Sequence, residues 1–400
     1  MTVTYLDNNA TTPVAPEVVE AMLPYLTELY GNPSSMHSFG GRVAKALQTA
    51  REQVADLIGA LPAEIVFTSC GTEGNNTAIR SALASFPDRR HIITTQVEHA
   101  CVLNLCKTLE KQGYRVTYLS VDSKGMLDLM ELEAALTGDT AIVSTMYANN
   151  ETGVIFPVEE IGQLVKSHGA LFHVDAVQAV GKVPINLQNS PIDFLTLSGH
   201  KFHAPKGVGA LFIRRGVRFR PLLIGGHQEK NRRGGTENVA SIVGLGRAAE
   251  LARQNIEKML AVQALRDYLE QGILTTIPDT VVNGKGSPRL PNTSNIGFKY
   301  IEGEAILLLL DREGICASSG SACTSDSLEP SHVLRAMGLP YSVLHGSIRF
   351  SLSRYTTLAE VERLLAVMPT IVAKLRALSP FQSDEGEWLQ QRTESLVTSA

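Results

Sequence analysis

Between Ile65 and Ile213 the chain alternates short apolar runs with stretches whose apolar residues recur every three or four positions, and this alternation limits its fold more than any other feature. Ile65 to Thr68, His91 to Thr94, Val116 to Leu119, Ala141 to Met146, Leu171 to Val174, Phe194 to Leu197 and Ala210 to Ile213 read as strands. Thr72 to Leu83, Ala100 to Lys111, Leu127 to Leu136 and a run on Val158, Ile161, Leu164 and Val165 read as helices. Buried strands separated by helices imply a mostly parallel sheet covered on both faces. At 400 residues, 44% of them hydrophobic, the chain can fill that core and a smaller one.

The flanks divide the chain. Pro16 to Leu29 reads as a helix that Gly31-Asn32-Pro33-Ser34-Ser35 breaks. A second helix, on Val43, Leu47, Ala50, Val54, Leu57 and Ile58, is stopped by Gly59 as a C-terminal cap. After Gly234-Gly235-Thr236 a long helical stretch runs from Val239 towards Leu269 into an α+β remainder. There, strands are expected near Asn295 to Phe298 and Ser347 to Phe350. Helices are expected at Glu302 to Leu310 and at Leu358 to Met368, the latter interrupted by Pro369. From Ser379 the chain is polar and aperiodic. The expected division is a large α/β domain over 16–250, a small α+β domain from 1–15 with 251–378, and a polar tail over 379–400.

A net charge of -4 and a pI near 6.2 leave no basic surplus for nucleic acid or anionic lipid, which favours a small-molecule or protein partner. Ala305 to Leu310 is too short to cross a bilayer, and the opening residues lack a basic region followed by an apolar one, so no membrane is expected and the protein reads as cytoplasmic. Five cysteines with no Cys-x-x-Cys pair suit neither a disulfide framework nor a zinc knuckle.

Candidate chemistry collects at strand ends, where α/β folds bind ligands. Lys201 follows a strand in Leu197-Ser198-Gly199-His200-Lys201, and a desolvated lysine there can form a Schiff base with an aldehyde cofactor; a solvated surface lysine is the alternative. Asp175 ends another strand, either as a helix cap or as the partner of a protonated ring nitrogen. Ser69-Cys70-Gly71-Thr72-Glu73-Gly74-Asn75 leads from a strand into a helix, aiming N–H groups at an anion or merely capping. His99 could cap a helix or stack on a flat ring. Asn149-Asn150 offers amides or a turn, and Arg349 a carboxylate clamp or a structural ion pair. Cys323 stands among small polar residues in Ala317-Ser318-Ser319-Gly320-Ser321-Ala322-Cys323-Thr324-Ser325, an unusual setting for a residue type that is normally buried.

These stretches resemble the NifS/IscS family of pyridoxal phosphate (PLP)-dependent cysteine desulfurases in the class V aminotransferase group. The likeness spans about Tyr5 to Leu378 and is strongest at Tyr5-Leu6-Asp7-Asn8-Asn9-Ala10-Thr11-Thr12, Gly31-Asn32-Pro33-Ser34-Ser35, Ser198-Gly199-His200-Lys201 and the Cys323 segment. Arg218-Phe219-Arg220-Pro221-Leu222-Leu223 and Arg349-Phe350-Ser351-Leu352-Ser353-Arg354-Tyr355-Thr356-Thr357 are similar to the nitrogen-fixation branch. The resemblance implies a fold type I PLP transferase, with a mixed, mostly parallel seven-stranded sheet and a smaller α+β domain. It implies that Lys201 carries PLP, Asp175 meets the pyridine nitrogen, Gln178 the phenolic oxygen and His99 the ring face. Gly71, Thr72, Ser198 and His200 would hold the phosphate, with Thr236 from the other subunit of a homodimer. Asn32, Asn150 and Arg349 match positions around the substrate carboxylate, and Cys323 the nucleophile.

The implied activity turns L-cysteine into L-alanine and leaves a persulfide on Cys323 for an Fe–S scaffold or other sulfur acceptor. His99 or a neighbour would help to deprotonate the thiol. No resident metal is implied, only transient contact of Cys323 with an Fe–S cluster. Ala100-Cys101 and Asn75-Asn76 occupy positions that vary in the family, Gly235 stands where Ala or Ser is commoner, and Phe381 to Ala400 is unlike the family's scaffold-binding end. The competing readings are a selenocysteine lyase or pyruvate-forming cysteine lyase of the same fold, a colourless sulfur carrier or scaffold, and a zinc module on His99, His200, His203 and the cysteines.

Overall fold

Five of the strands, Ile65–Thr68, His91–Thr95, Thr140–Met146, Phe194–Ser198 and Gly209–Ile213, are buried along their whole length, as strands covered by helices on both faces must be. The computed structural model describes residues 3–319 and 330–380; Cys323 and the tail from Phe381 lie outside them. Its seven-stranded sheet runs Ile65–Thr68, Gly209–Ile213, Phe194–Ser198, Leu171–Asp175, Thr140–Met146, His91–Thr95, Arg115–Leu119. Gly209–Ile213 is antiparallel to both neighbours and all other pairs are parallel. The sheet is therefore mixed and mostly parallel. The carboxyl ends of its six co-directional strands meet at one edge, and the loops that leave that edge carry the chemistry.

A second apolar cluster joins Leu6 to Met259, Ile296, Phe350, Val361 and Met368. It packs on a three-stranded antiparallel sheet ordered Ser347–Ser351, Thr293–Phe298, Thr280–Val282. Thr4–Tyr5 pairs in parallel with Ile315–Cys316, which ties the start of the chain to this unit. Leu251 and Ala252 belong to the cluster beneath the large sheet and Met259 to the second, so the chain passes between cores at a short break around residues 255–258.

Local reading of the sequence fails at two prolines and one asparagine. The expected Pro16 to Leu29 helix is two, Pro16–Met22 and Pro24–Thr27, because Pro24 has no N–H to continue the ladder and starts a new turn instead. The long stretch from Val239 is also two helices, Val239–Gln254 and Met259–Thr276; the Asn255 side chain donates to the Leu251 carbonyl at 2.7 Å and closes the first. Conversely, Leu358–Leu378 runs straight through Pro369. An interior proline costs about 3 kcal/mol or more. Beyond it the helix buries Ile371 and Val372 in the second core, at about 1.5–3 kcal/mol for each side chain, enough to offset that cost. Gly59, at φ 62°, caps its helix as its position predicts.

Candidate active site

Ser198 ends its strand, and a single 3-10 turn, Gly199–Lys201, places Lys201 at the carboxyl edge of the sheet. Its Nζ donates to the carbonyls of Asn9 at 2.6 Å and Ala10 at 2.9 Å. The lysine opens onto a cavity of about 350 Å³, whose walls include Asp175, Gln178, His99, Asn150 and Arg349. Gly71, Thr72, Ser198 and His200 line the same space. Residues from the ends of separate strands thus meet in one pocket.

Asp175, 7% exposed, is held at both oxygens: Asn75 Nδ2 donates to Oδ2 at 2.6 Å and the Val177 amide to Oδ1 at 3.0 Å. His99 caps the helix Ala100–Lys111, its Nδ1 accepting from the Cys101 amide at 3.2 Å. Burial, with lesser contributions from Lys201 and His332 set against Asp175, lowers its affinity for a proton. The neutral ring therefore carries its hydrogen on Nε2 and is a donor as it stands. Uptake of a thiol proton at Nε2 requires the cap bond to be released.

Behind His99 lies Glu98, fully buried, its Oε1 accepting from Thr95 Oγ1 at 2.7 Å and the Met146 amide at 3.0 Å. Oε2 has no partner, and burial raises the carboxyl to about 8. A carboxyl raised above its unfolded value of about 4.3 contributes stability that is fully present below that pH and lost as pH rises through the folded value. Glu98→Gln keeps the acceptor without the charge. Thermal denaturation is expected to show the variant and the parent alike near pH 5, with the variant more stable at pH 9; parallel curves across that range would show that Glu98 does not titrate as described.

Arg349, at the centre of strand Ser347–Ser351, makes a structural ion pair and also reaches the cavity. Nη2 donates to Asp7 Oδ1 at 2.8 Å and Nη1 to the Asn150 carbonyl at 3.0 Å, while Nε is buried without a partner and the residue lines the cavity. Its backbone pairs with Ser318, two residues before the Cys323 segment leaves the described structure. Where the chain resumes, Ser331 Oγ donates to Glu151 at 2.5 Å and His332 Nε2 to the Glu98 carbonyl at 2.9 Å. Both roots of that segment are fastened beside the pocket.

Asn32 and Thr236 are not brought to this cavity within the chain. Asn32 Oδ1 closes a turn on the Ser34 amide, and Thr236 lines a separate space of about 220 Å³ beside Ser69 and Arg233. Sequence reading also missed a hub. The Asn9 carbonyl accepts from both Lys201 and Gln178, and its side chain reaches the Asn150 carbonyl and Thr293. Asn75 was read as the end of the anion stretch and as a variable position, yet its side chain holds Asp175. A polar residue in an apolar-periodic helix was the available signal.

The model of the family described as aminotransferase class-V matches residues 4–364. The chain belongs to that family. It is 71% identical over 397 residues to "Cysteine desulfurase 2" of Trichormus variabilis, covering 99% of this chain and 100% of that one. It is 61% identical over 384 residues to "Cysteine desulfurase NifS" of Azotobacter vinelandii, at 96% coverage of each. Among solved structures, a "NIFS-LIKE PROTEIN" superposes with TM-score 0.87 at 40% identity, over 94% of this chain and 100% of that one. The family's cofactor is pyridoxal phosphate. The pocket fits it: a Cβ at Gly71 would lie 2.8 Å from Val177 Cγ2, so bare backbone forms that wall. The helix Gly71–Ser85 begins there with no side-chain cap bond, leaving its first N–H groups for an anion. No helix among the described residues is long and apolar enough to cross a membrane.

Proposed function

We propose that this class V protein is a cysteine desulfurase that converts L-cysteine to L-alanine and passes the sulfane sulfur through Cys323 to acceptor proteins for iron–sulfur cluster assembly, in the manner of the nitrogen-fixation branch. The observation that carries the reading is the convergence of Lys201, Asp175, His99 and Arg349 on one cavity, in a chain whose relatives at 61–71% identity are named cysteine desulfurases.

Gly71, Thr72, Ser198 and His200 would hold the phosphate, Asp175 the ring nitrogen, Gln178 the phenolic oxygen and Lys201 the aldehyde. Bound there, pyridoxal phosphate supplies a carbonyl carbon that amino groups attack and a protonated ring that accepts an electron pair. Two N–H donors, from Asn75 and Val177, fix the orientation of the Asp175 side chain. Lys201 Nζ, once displaced by the substrate amine, takes and returns the proton of the substrate α carbon. Arg349 orients the substrate carboxylate with guanidinium hydrogens that are not committed to Asp7 or Asn150. His99 packs on the ring and donates from Nε2.

The Cys323 thiolate attacks the substrate sulfur. A sulfur–sulfur bond forms and the carbon–sulfur bond breaks. The electron pair stays on carbon, which takes up a proton to become the methyl group of alanine. Attachment of Ser318 to Arg349 and of His332 to Glu98 supports bringing the segment between them to this pocket.

A homodimer is supported by Thr236, which lines a space apart from the Lys201 cavity of its own chain, and by exposed Leu223, Ile224 and Met36. The cytoplasm is supported by Cys70, Cys101, Cys106 and Cys316, which carry no disulfide. A large domain over 16–250 and a small one from 1–15 with 251–378 are supported by the separate apolar clusters.

Sulfur-labelled L-cysteine, supplied without reductant, tests the nucleophile. After proteolysis the label is expected on the peptide that contains Cys323, released by a reducing thiol; label found only in free sulfide or on another cysteine would remove Cys323 from the reaction.

A further inference from the structure

Lys182 is buried, 6% exposed, and does not line the cavity that holds Lys201, Asp175 and Gln178. Its Nζ donates to Gln178 Oε1 at 2.7 Å and to Asn9 Oδ1 at 3.0 Å. Gln178 Nε2 in turn donates to the Asn9 carbonyl at 3.0 Å. These three contacts decide which way the Gln178 amide faces. A lysine nitrogen offers hydrogens, so the amide oxygen must turn to it, and reversing the amide would set N–H against N–H. The Asn9 side chain cannot turn either, because Asn292 Nδ2 donates to the same Oδ1 at 3.0 Å and Asn9 Nδ2 reaches Thr293 Oγ1 at 2.9 Å. Of the two hydrogens on Gln178 Nε2, one is spent on Asn9 and the other remains.

We propose that Lys182 is a positioning residue: by engaging the Gln178 oxygen it obliges that amide to present N–H, not C=O, to the cofactor cavity. The inference rests on the cofactor reading above, in which Gln178 meets the phenolic oxygen, an anion that needs donors. A glutamine free to flip would show that anion a carbonyl part of the time. The orientation does not depend on the charge of the lysine. Burial, then the nearby positive charges of Lys201 and Arg349, lowers its affinity for a proton, but a neutral amine still has one N–H for each of the two oxygens. The other titratable groups on which Lys182 acts are His200 and His203.

The test uses the holoenzyme and reads the pH midpoint of the visible absorption band of the bound cofactor, a signature that a purely structural role would leave in place. A donor to the phenolic oxygen draws electron density from the neighbouring imine and lowers its midpoint. Lys182→Met and Gln178→Met are each expected to raise it, by about half a unit to one unit, the worth of one neutral hydrogen bond. The double variant is expected to shift no further than either single variant, because both remove the same donor. An unmoved midpoint in Lys182→Met, or shifts that add in the double variant, would overturn the inference. Should Lys182→Met not fold, Lys182→Arg keeps N–H donors: an unchanged midpoint supports the proposal, and a shift as large as that of Gln178→Met overturns it. A parent protein with no cofactor band would instead overturn the cofactor reading, and this inference with it.

Discussion

Lys201→Ala is expected to fold, to bind cofactor without a covalent link, and to lose at least about 10⁴-fold in kcat, since it removes both the Schiff-base nitrogen and the group that moves the α proton. The structural cost is small by comparison. Lys201 donates to the Asn9 and Ala10 carbonyls, and Asn9 keeps its bond from Gln178 when the lysine is gone. The loss should therefore appear in turnover and not in the melting temperature. Borohydride reduction of the parent followed by peptide mapping should place the cofactor on the peptide that contains Lys201. Retention of a tenth of the parent rate in Lys201→Ala would dismiss the assignment.

Asp175→Ala is expected to lower kcat by about 10²–10³-fold, the usual effect of deleting one preorganised electrostatic group. It also leaves the Asn75 amide, donor to Oδ2 at 2.6 Å, buried without its acceptor, at about 1–3 kcal/mol of stability. Asp175→Asn separates the two effects. It keeps an oxygen for Asn75 but has no charge to hold a ring nitrogen protonated, so stability should return while the rate does not. Thermal melts beside steady-state kinetics check both. Equal recovery of rate and stability in Asp175→Asn would mean that the carboxylate is structural.

The large sheet was legible because most of its strands carry their own record: a short apolar run, buried along its whole length in five of them, with turn residues and a periodic helix nearby. Lys201, Asp175 and His99 were legible for the same reason, as polar residues at the ends of such runs. Arg349 was half legible; its ion pair with Asp7 spans 342 positions, and nothing local foretells it. Asn9 was hidden in a short polar stretch near the start of the chain, because its worth lies in Lys201, Gln178 and Thr293, far away in the chain. Asn75 and Lys182 were hidden likewise, each in a segment that reads otherwise as ordinary helix or turn. Pro369 misled in the other direction: a sound local rule yielded to burial of Ile371 and Val372 in a core assembled from distant segments.

The most direct test of the account is the product balance when the purified protein is incubated with L-cysteine and a reducing thiol. Alanine and sulfide in equal amounts, without pyruvate, is the predicted result. Pyruvate with sulfide and no alanine would mean that the sulfur leaves by elimination, and would contradict the transfer of sulfur to Cys323.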